Sequence, residues 1–461
     1  MTLIKSISGI RGTIGGKAGE NLTPQDIVEC AAAYGSWVKD HSDQHKVVIG
    51  RDARISGEIV SQLVSSTLRA MGIDVIDLGL STTPTVEMSV VAEGAGGGII
   101  LTASHNPKQW NALKLLNAKG EFISAQDGKA LLERIEEGAI EYASVDQLGA
   151  YEQRIDAIQA HIDKIFALPL VTVDAVKVKG FKVVVDAVNS TGSLSVVPLL
   201  EQLGCEVILI NGEVNGHFAH NPEPLPENLY ELSKVVQSQQ AHLGIAVDPD
   251  VDRLALVCED GEMFGEEYTL VAVADYILSH HPGSTVSNLS STRALRDVTE
   301  KHGQQYFASA VGEVNVVTEM KARKAVIGGE GNGGIIYPEL HYGRDALVGI
   351  ALLLSHLAAY GKPISFLRKT YPAYTISKNK IQLTPDIDLN NLLDKLQDRY
   401  RQEELNTIDG LKIEFENDWI HLRKSNTEPI IRIYSESTSS VIANNLADKI
   451  KADINEILKE Q

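Results

Sequence analysis

Short apolar runs closed by glycine or by Asn-Pro-type turns alternate with helix-length stretches through residues 1–369. Lys46–Gly50, Ile73–Leu78 and Gly97–Leu101 read as strands. Between them, Arg51–Gly57 opens a helix ending near Gly72, and Thr83–Glu93 is a second helix. Thr23-Pro24-Gln25-Asp26 starts an earlier helix, with a cap, a first-turn proline and an acid. This alternation implies a mainly parallel sheet covered on both faces. The scheme recurs in Phe181–Asp186, a helix from Gly192 to Gly204, Cys205–Ile210, a helix over Glu227–Gln240 and the strand His242–Val247. A third copy starts at Leu254, with strands at Val286–Leu289, Ala325–Gly328 and Ile335–Tyr337 and a helix over Asp345–Tyr360. The tail differs. Thr375–Leu383 is extended, Leu389–Arg399 helical, Leu411–Phe415 and Trp419–Arg423 are strands, and Ser440–Leu458 is helical. The expectation is three similar α/β domains with mixed, mainly parallel sheets (residues 1–152, 153–253 and 254–369), plus a C-terminal α+β domain (370–461). They would be arranged around a central cleft. The copies share no clean sequence period, so their repetition is topological.

Four loops carry residues suited to chemistry. Gly94–Lys114 delivers Thr102-Ala103-Ser104-His105-Asn106-Pro107 from the end of a buried strand. Pro107 biases Asn106 away from helix, so Ser104 sits on a constrained turn where backbone N–H groups can hold a phosphoryl group. A lone serine in such a turn is ordinarily turn chemistry. Asp248-Pro-Asp250-Val-Asp252-Arg253 sets three carboxylates at alternate positions after a strand, on one side of an extended segment. They repel unless a cation intervenes, and an oxygen-only set suits Mg²⁺. A solvated acidic turn is the plain alternative. A calcium loop is rejected, because Arg253 stands where its sharp turn needs glycine.

Gly328-Gly-Glu-Gly-Asn-Gly-Gly334 lets backbone approach a ligand closely. There Glu330 could accept from two ligand hydroxyls and Asn332 could do likewise or donate, although a tight hairpin explains the glycines equally. Arg423-Lys-Ser-Asn-Thr-Glu-Pro429 with Arg432 offers two guanidinium groups, the Ser425 and Thr427 hydroxyls and turn amides to one phosphate. A surface turn is the competing reading. Near the N-terminus, Gly9-Ile-Arg11-Gly12 holds Arg11 against backbone as a candidate substrate contact.

The basic cluster stands out because the chain is acidic, with Lys+Arg 42 against Asp+Glu 61 and a net charge of −19. Such a surface repels nucleic acid and anionic membrane, so neither is expected as a partner. No apolar run is long enough to span a bilayer. The 3 cysteines, Cys30, Cys205 and Cys258, are odd in number and far apart. They fit buried thiols in a reducing cytoplasm.

In order and content, these loops resemble those of the α-D-phosphohexomutases, the family of phosphoglucomutase, phosphomannomutase and phosphoglucosamine mutase. The resemblance spans nearly the whole chain. T-A-S-H-N-P is similar to the family's active-site loop, which implies that Ser104 is carried as phosphoserine with His105 supporting it. D-P-D-x-D-R resembles the metal loop, implying Asp248, Asp250 and Asp252 as ligands, the Ser104 phosphate completing the site and Arg253 facing the substrate. W-N-A-L-K resembles the family's N-G-x-K, which makes Lys114 the general base. Burial and a nearby arginine would lower its pKa towards neutrality. The G-x-R-G element implies that Arg11 faces the site. Glu330 carries over from G-E-x-S-G-H, whereas Asn332 and Gly334 replace its Ser and His. Asn426 replaces the Gly of R-x-S-G-T-E-P.

The implied reaction interconverts hexose 1-phosphate and 6-phosphate through phosphoserine and a hexose 1,6-bisphosphate, with Mg²⁺. Glucosamine phosphate is the first expected substrate, on the assumption of a walled bacterial source; mannose and glucose phosphates are the alternatives. A sugar-phosphate phosphohydrolase and a non-catalytic sensor are the competing classes. A Ser-His-Asp hydrolase is disfavoured, since Ser104 and His105 are neighbours outside any G-x-S-x-G. The protein is expected to be a monomer or homodimer. Its C-terminal unit is expected to hinge near Lys369–Tyr374 to keep water from the bisphosphate.

Overall fold

The computed structural model describes residues 2–6, 9–138, 140–382, 388–424 and 430–459. Its first sheet contains β1 (Ile4–Ser6), β2 (Gly9–Thr13), β3 (Lys46–Arg51), β4 (Asp74–Leu80), β5 (Gly97–Leu101), β6 (Trp110–Asn117) and β7 (Tyr151–Gln153), in the order β1-β2-β6-β5-β3-β4-β7. The β3, β4, β5 and β7 pairings are parallel, and β6 runs antiparallel to both β5 and β2. The apolar side chains of β3 and β5 are buried on both sides, as helix-covered parallel strands require.

The second sheet is β11-β10-β8-β9, built from β8 (Lys182–Asp186), β9 (Glu206–Ile210), β10 (Leu243–Val247) and β11 (Leu254–Cys258). The sequence reading opened the third unit at Leu254. However, β11 pairs antiparallel with β10 across the Asp248–Arg253 turn, so this strand belongs to the second sheet. A hairpin and the start of a new unit look alike in sequence, because both follow a strand and a turn.

The third sheet, β13-β12-β14-β15, contains β12 (Thr285–Asn288), β13 (Tyr306–Ser309), β14 (Ile327–Glu330) and β15 (Gly334–Ile336). The fourth holds β16 (Thr375–Gln382), β17 (Glu404–Asn406), β18 (Leu411–Glu414), β19 (Trp419–Lys424) and β20 (Ile430–Ser437), all antiparallel in the order β16-β20-β19-β18-β17. Helices Leu389–Arg399 and Ser440–Lys459 supply apolar side chains to the same core as this sheet.

Three α/β units and one antiparallel unit are therefore present, as expected. The expected helix over Glu227–Gln240 is shorter: Pro226–Asn228 form a 3₁₀ turn and the α-helix is Tyr230–Ser238. The second and third units share one apolar core, running from Ile162 through Val185 and Leu256 to Leu353 and Tyr371. Helix Ala346–Tyr360 is apolar all round and lies between them, capped by Asp345 Oδ1 on the N–H groups of Leu347 and Val348. Among the described residues no helix is long and apolar enough to cross a membrane, and all three cysteines are free and buried.

Candidate active site

The turn after β5 is held from below by Arg54. Its guanidinium donates to the carbonyls of Ser104, Asn106, Pro107 and Trp110 and pairs with Asp52 at 3.0 Å. Asp52 also accepts the Thr102 hydroxyl at 2.6 Å, and the Thr102 Oγ1 in turn accepts the N–H of Ser104. Within this scaffold Ser104 adopts a left-handed conformation, φ 49°, a costly one for a residue with a Cβ. That twist aims its hydroxyl across the unit boundary at Asp248, to which it donates at 2.7 Å.

Asp248 ends β10. Its other oxygen accepts the N–H groups of Asp252 and Arg253, each at 3.1 Å, closing the loop on itself. Val251 at the apex also has positive φ, 61°. The loop gathers the Asp248, Asp250 and Asp252 carboxylates so that one oxygen from each lies within 4.8 Å of the others. All three side chains are buried. Burial and the neighbouring Asp252 and Asp250 push the Asp248 carboxyl well above the usual range. Burial opposes ionisation of Asp250 too, but Lys114 outweighs it and holds that carboxyl low.

Asp250 Oδ1 and Asp252 Oδ1 are buried and have no hydrogen-bond partner among the described residues. Orphaned carboxylate oxygens in a converging, oxygen-only set fit a hard divalent cation such as Mg²⁺.

Lys114 lies on β6, which places it on the same sheet face as Arg11 of β2 through the Arg11–Ala112 pairing. Its ammonium is 2.8 Å from Asp250 and 3.6 Å from Asp252. This corrects the expected pKa. Burial does act to lower it, but the two aspartates override that and hold the group above its ordinary value. His105 Nδ1 lies 3.3 Å from the Ser104 hydroxyl, and burial with Arg253 nearby lowers its pKa to about 2, so the ring is neutral.

These elements open on a cavity of about 550 Å³ lined by residues of all four units, among them Arg11, His105, Arg253, Glu330, Asn332, Arg423 and Arg432. A larger cavity, about 710 Å³, lies beside Phe181 and Leu357 and contains none of the candidate residues. Arg253 pairs with Glu223 at 3.1 Å. Arg432 and Arg423 line the opposite wall, and Lys380 stands in register with them across β16, β20 and β19. Like charges directly opposite on a sheet destabilise it, and an anion would relieve the repulsion. Arg423 is buried, and its Nη1 has no hydrogen-bond partner among the described residues, only the Asp409 carboxylate at 3.8 Å. Ser425, Asn426 and Thr427 lie outside the described residues.

Arg344 was not anticipated as a site residue. This buried guanidinium bridges Asp252 at 2.7 Å, Glu330 at 3.0 Å and Glu313 at 3.0 Å. It thereby joins the aspartate loop to the glycine loop. Glu330 also accepts from Asn288 at 2.9 Å and from the N–H of Gly312 at 3.2 Å. Much of its acceptor capacity is thus filled by protein. A Cβ at Gly334 would lie 2.4 Å from Arg344 Cδ, so the arginine stem fills the space a side chain there would need. The G-R-D stretch at residues 343–345 was the available signal, but nothing local marks its partners.

A serine aimed at a cation-ready triad, on loops that border a ligand-sized cavity with a basic wall, has the chemistry to suit phosphorylated ligands. Four domain families match the chain in order, all described as Phosphoglucomutase/phosphomannomutase: alpha/beta/alpha domain I over residues 3–141, domain II over 159–261, domain III over 265–374 and the C-terminal domain over 385–452. A Methanopyrus kandleri protein named "Probable phosphoglucosamine mutase" is 33% identical over 96% of this chain and 95% of its own. A Thermococcus kodakarensis phosphoglucomutase/phosphomannomutase is 34% identical over 93% of this chain and 94% of its own. The crystal structure of a phosphoglucomutase/phosphomannomutase family protein from Burkholderia thailandensis superposes with a TM-score of 0.85 at 28% identity, covering 97% of this chain and 96% of that one. The chain belongs to the α-D-phosphohexomutase family. Its class of activity is hexose-phosphate mutase, an isomerase.

Proposed function

We propose that the protein interconverts glucosamine 6-phosphate and glucosamine 1-phosphate through a phosphorylated Ser104 and a bisphosphorylated sugar. The observation that carries this reading is the Ser104 hydroxyl directed at Asp248 beside Asp250 and Asp252 oxygens without a hydrogen-bond partner among the described residues, with Arg423 and Arg432 lining the cavity that His105 and Arg253 of the two loops also line. The name of the Methanopyrus relative supports the choice of sugar.

In this mechanism the Ser104 Oγ carries the phosphoryl group at rest. Arg423 and Arg432 seat the substrate's own phosphate, so that its free hydroxyl faces Ser104. Attack of that hydroxyl on phosphorus forms the new O–P bond and breaks the bond to Ser104 Oγ, leaving a sugar bisphosphate and a free serine. The bisphosphate turns end for end, and Ser104 takes back the other phosphoryl group. Asp248, Asp250 and Asp252 would hold a Mg²⁺ ion, which when bound supplies charge neutralisation for the transferring group. Lys114 is the candidate acceptor of the attacking hydroxyl's proton. It can serve only in a state where Asp250 and Asp252 no longer hold its ammonium. Arg54 and Asp52 keep the serine aimed, and Arg344 keeps Glu330 at the sugar wall. The third-unit and C-terminal walls would close the cavity to water.

The test is ³¹P NMR of the protein with glucosamine, mannose or glucose 1-phosphate, each with a trace of its bisphosphate. Formation of the 6-phosphate fastest from glucosamine 1-phosphate supports the proposal. Faster turnover of mannose or glucose reassigns the sugar, inorganic phosphate release makes the protein a hydrolase, and binding without turnover makes it a sensor. Unchanged turnover in Ser104→Ala would overturn the mechanism.

A further inference from the structure

Behind the aspartate loop lies a second cluster of potential metal ligands that the mutase reaction does not use. His161 is on helix Ala157–Phe166 of the second unit, and His341 and Asp345 precede helix Ala346–Tyr360 of the third. The Nε2 atoms of both histidines converge on one oxygen, Asp345 Oδ2, at 2.9 Å and 3.3 Å. One ligand atom from each of the three residues lies within 4.8 Å of the others. Asp345 Oδ1 is taken by the helix cap, which leaves Oδ2 for the cluster.

Each imidazole is also fixed from its far side. His161 Nδ1 lies 3.0 Å from the Thr85 hydroxyl, and His341 Nδ1 lies 3.4 Å from Glu87 Oε2. Both partners sit on helix Thr83–Ala92 of the first unit. An oxygen partner on the outer nitrogen of each histidine is the usual way a metal-bound imidazole is oriented.

A neutral His341 beside an ionised Glu87 does not satisfy this arrangement. A neutral His341 carries one N–H but faces a carboxylate oxygen from each nitrogen. Whichever oxygen it serves, the other meets a lone pair. Glu87 is 1% exposed, and among the described residues neither of its oxygens has a hydrogen-bond partner; nor does His341 Nδ1. An extra proton on His341 or Glu87 would resolve the conflict, and so would a cation on Nε2, because Nδ1 then holds the proton and points it at Glu87. Metal retention separates the two, and the buried Asp345 carboxylate gives a divalent ion an anionic ligand between the two imidazoles. Nitrogen donors in the set favour zinc over magnesium. Bonds of about 2.0–2.2 Å in a tetrahedron place ligand atoms roughly 3.3–3.6 Å apart, close to the spacing here.

We propose that His161, His341 and Asp345 form a zinc-class metal site, with Glu87 and Thr85 orienting the two histidines, which ties the first three units together behind the catalytic loop. The same first-unit helix reaches that loop directly, since the Thr83 hydroxyl donates to Asp250 at 2.6 Å. Zinc here is a structural tie and takes no part in phosphoryl transfer.

The full chain is stripped with chelator, saturated with Mg²⁺ to fill the aspartate triad, and titrated with Zn²⁺ read by elemental analysis after gel filtration. Co²⁺ serves in parallel as a visible reporter of ligand type. The expected result is one retained zinc per chain and a cobalt spectrum of a four-coordinate nitrogen–oxygen site. Both should be lost in His341→Gln and kept in Asp250→Asn, and affinity should fall about 10- to 100-fold in Glu87→Gln. No retained zinc in the wild-type chain, retention in His341→Gln, or loss in Asp250→Asn each overturns the proposal. Should His341→Gln fail to fold, Glu87→Gln and Asp250→Asn decide it, with undiminished affinity in Glu87→Gln counting against.

Discussion

Replacing Arg54 by methionine should disable the serine loop more than it unfolds the protein. Four backbone carbonyls of the loop, from Ser104 to Trp110, accept from this one guanidinium. They restrain a serine at φ 49°, a conformation that costs about 1–3 kcal/mol when nothing enforces it. With the fork removed, the relaxed loop becomes the major form, and the aimed serine falls to a minority by a factor of roughly 5–150. Turnover per folded molecule should drop by that factor, with KM for the sugar phosphate little changed. Stability falls as well, by about 3 kcal/mol, the lower end for breaking a buried pair. The lower end applies because Asp52 keeps the Thr102 hydroxyl and a backbone N–H. Arg54→Lys separates the two effects. An ammonium still pairs with Asp52 but cannot reach four carbonyls, so stability recovers while turnover stays low. The assays are kcat on glucosamine 1-phosphate and the urea midpoint. A folded Arg54→Met chain with wild-type kcat would refute the argument that this loop is held under strain.

Arg344→Met leaves Asp252, Glu313 and Glu330 without their shared counter-charge, and should lower unfolding free energy by about 3–5 kcal/mol; an unchanged urea midpoint would contradict it. His421 is buried between the Ser290 hydroxyl and the Asp409 carbonyl, and burial lowers its pKa from 6.5 to about 4. Between those values the unfolded chain binds the extra proton, so stability is full above pH 6.5 and falls as pH drops towards 4, by up to roughly 3 kcal/mol. That slope should flatten in His421→Gln, as read from urea midpoints across the range. Chelation should abolish mutase turnover and Mg²⁺ should restore it in the wild type but not in Asp252→Asn; turnover that survives exhaustive chelation would remove the cation from the scheme.

The parts of the site legible in the sequence are those whose chemistry is contiguous. Ser104, the alternate aspartates and the glycine loop each announce themselves within a few residues, because one turn presents them. Arg344, Arg54, Glu87 and His161 act on partners far along the chain, and no local spacing marks them. The fold divides similarly. Strands such as β5 show as bounded apolar runs, whereas helix Glu266–His280 was not foreseen, since it is buried on nearly every side and carries no amphipathic stripe. Strand β6 was read only as a motif around Lys114. Its covered faces remove the alternation that would have identified it. The pKa of Lys114 was misjudged for a related reason. Its neighbours in the fold are two aspartates, and the sequence suggested an arginine.

The cavity takes its walls from all four units of the chain, with Arg11 near one terminus and Tyr434 near the other. Under the proposed mechanism, a fragment lacking the final sheet would possess the serine and lack Arg423 and Arg432, the seat for the second phosphate. Sugar-phosphate recognition would then report completion of the polypeptide. An occupant grips every piece at once, so saturating ligand should fuse separate melting steps into a single later one.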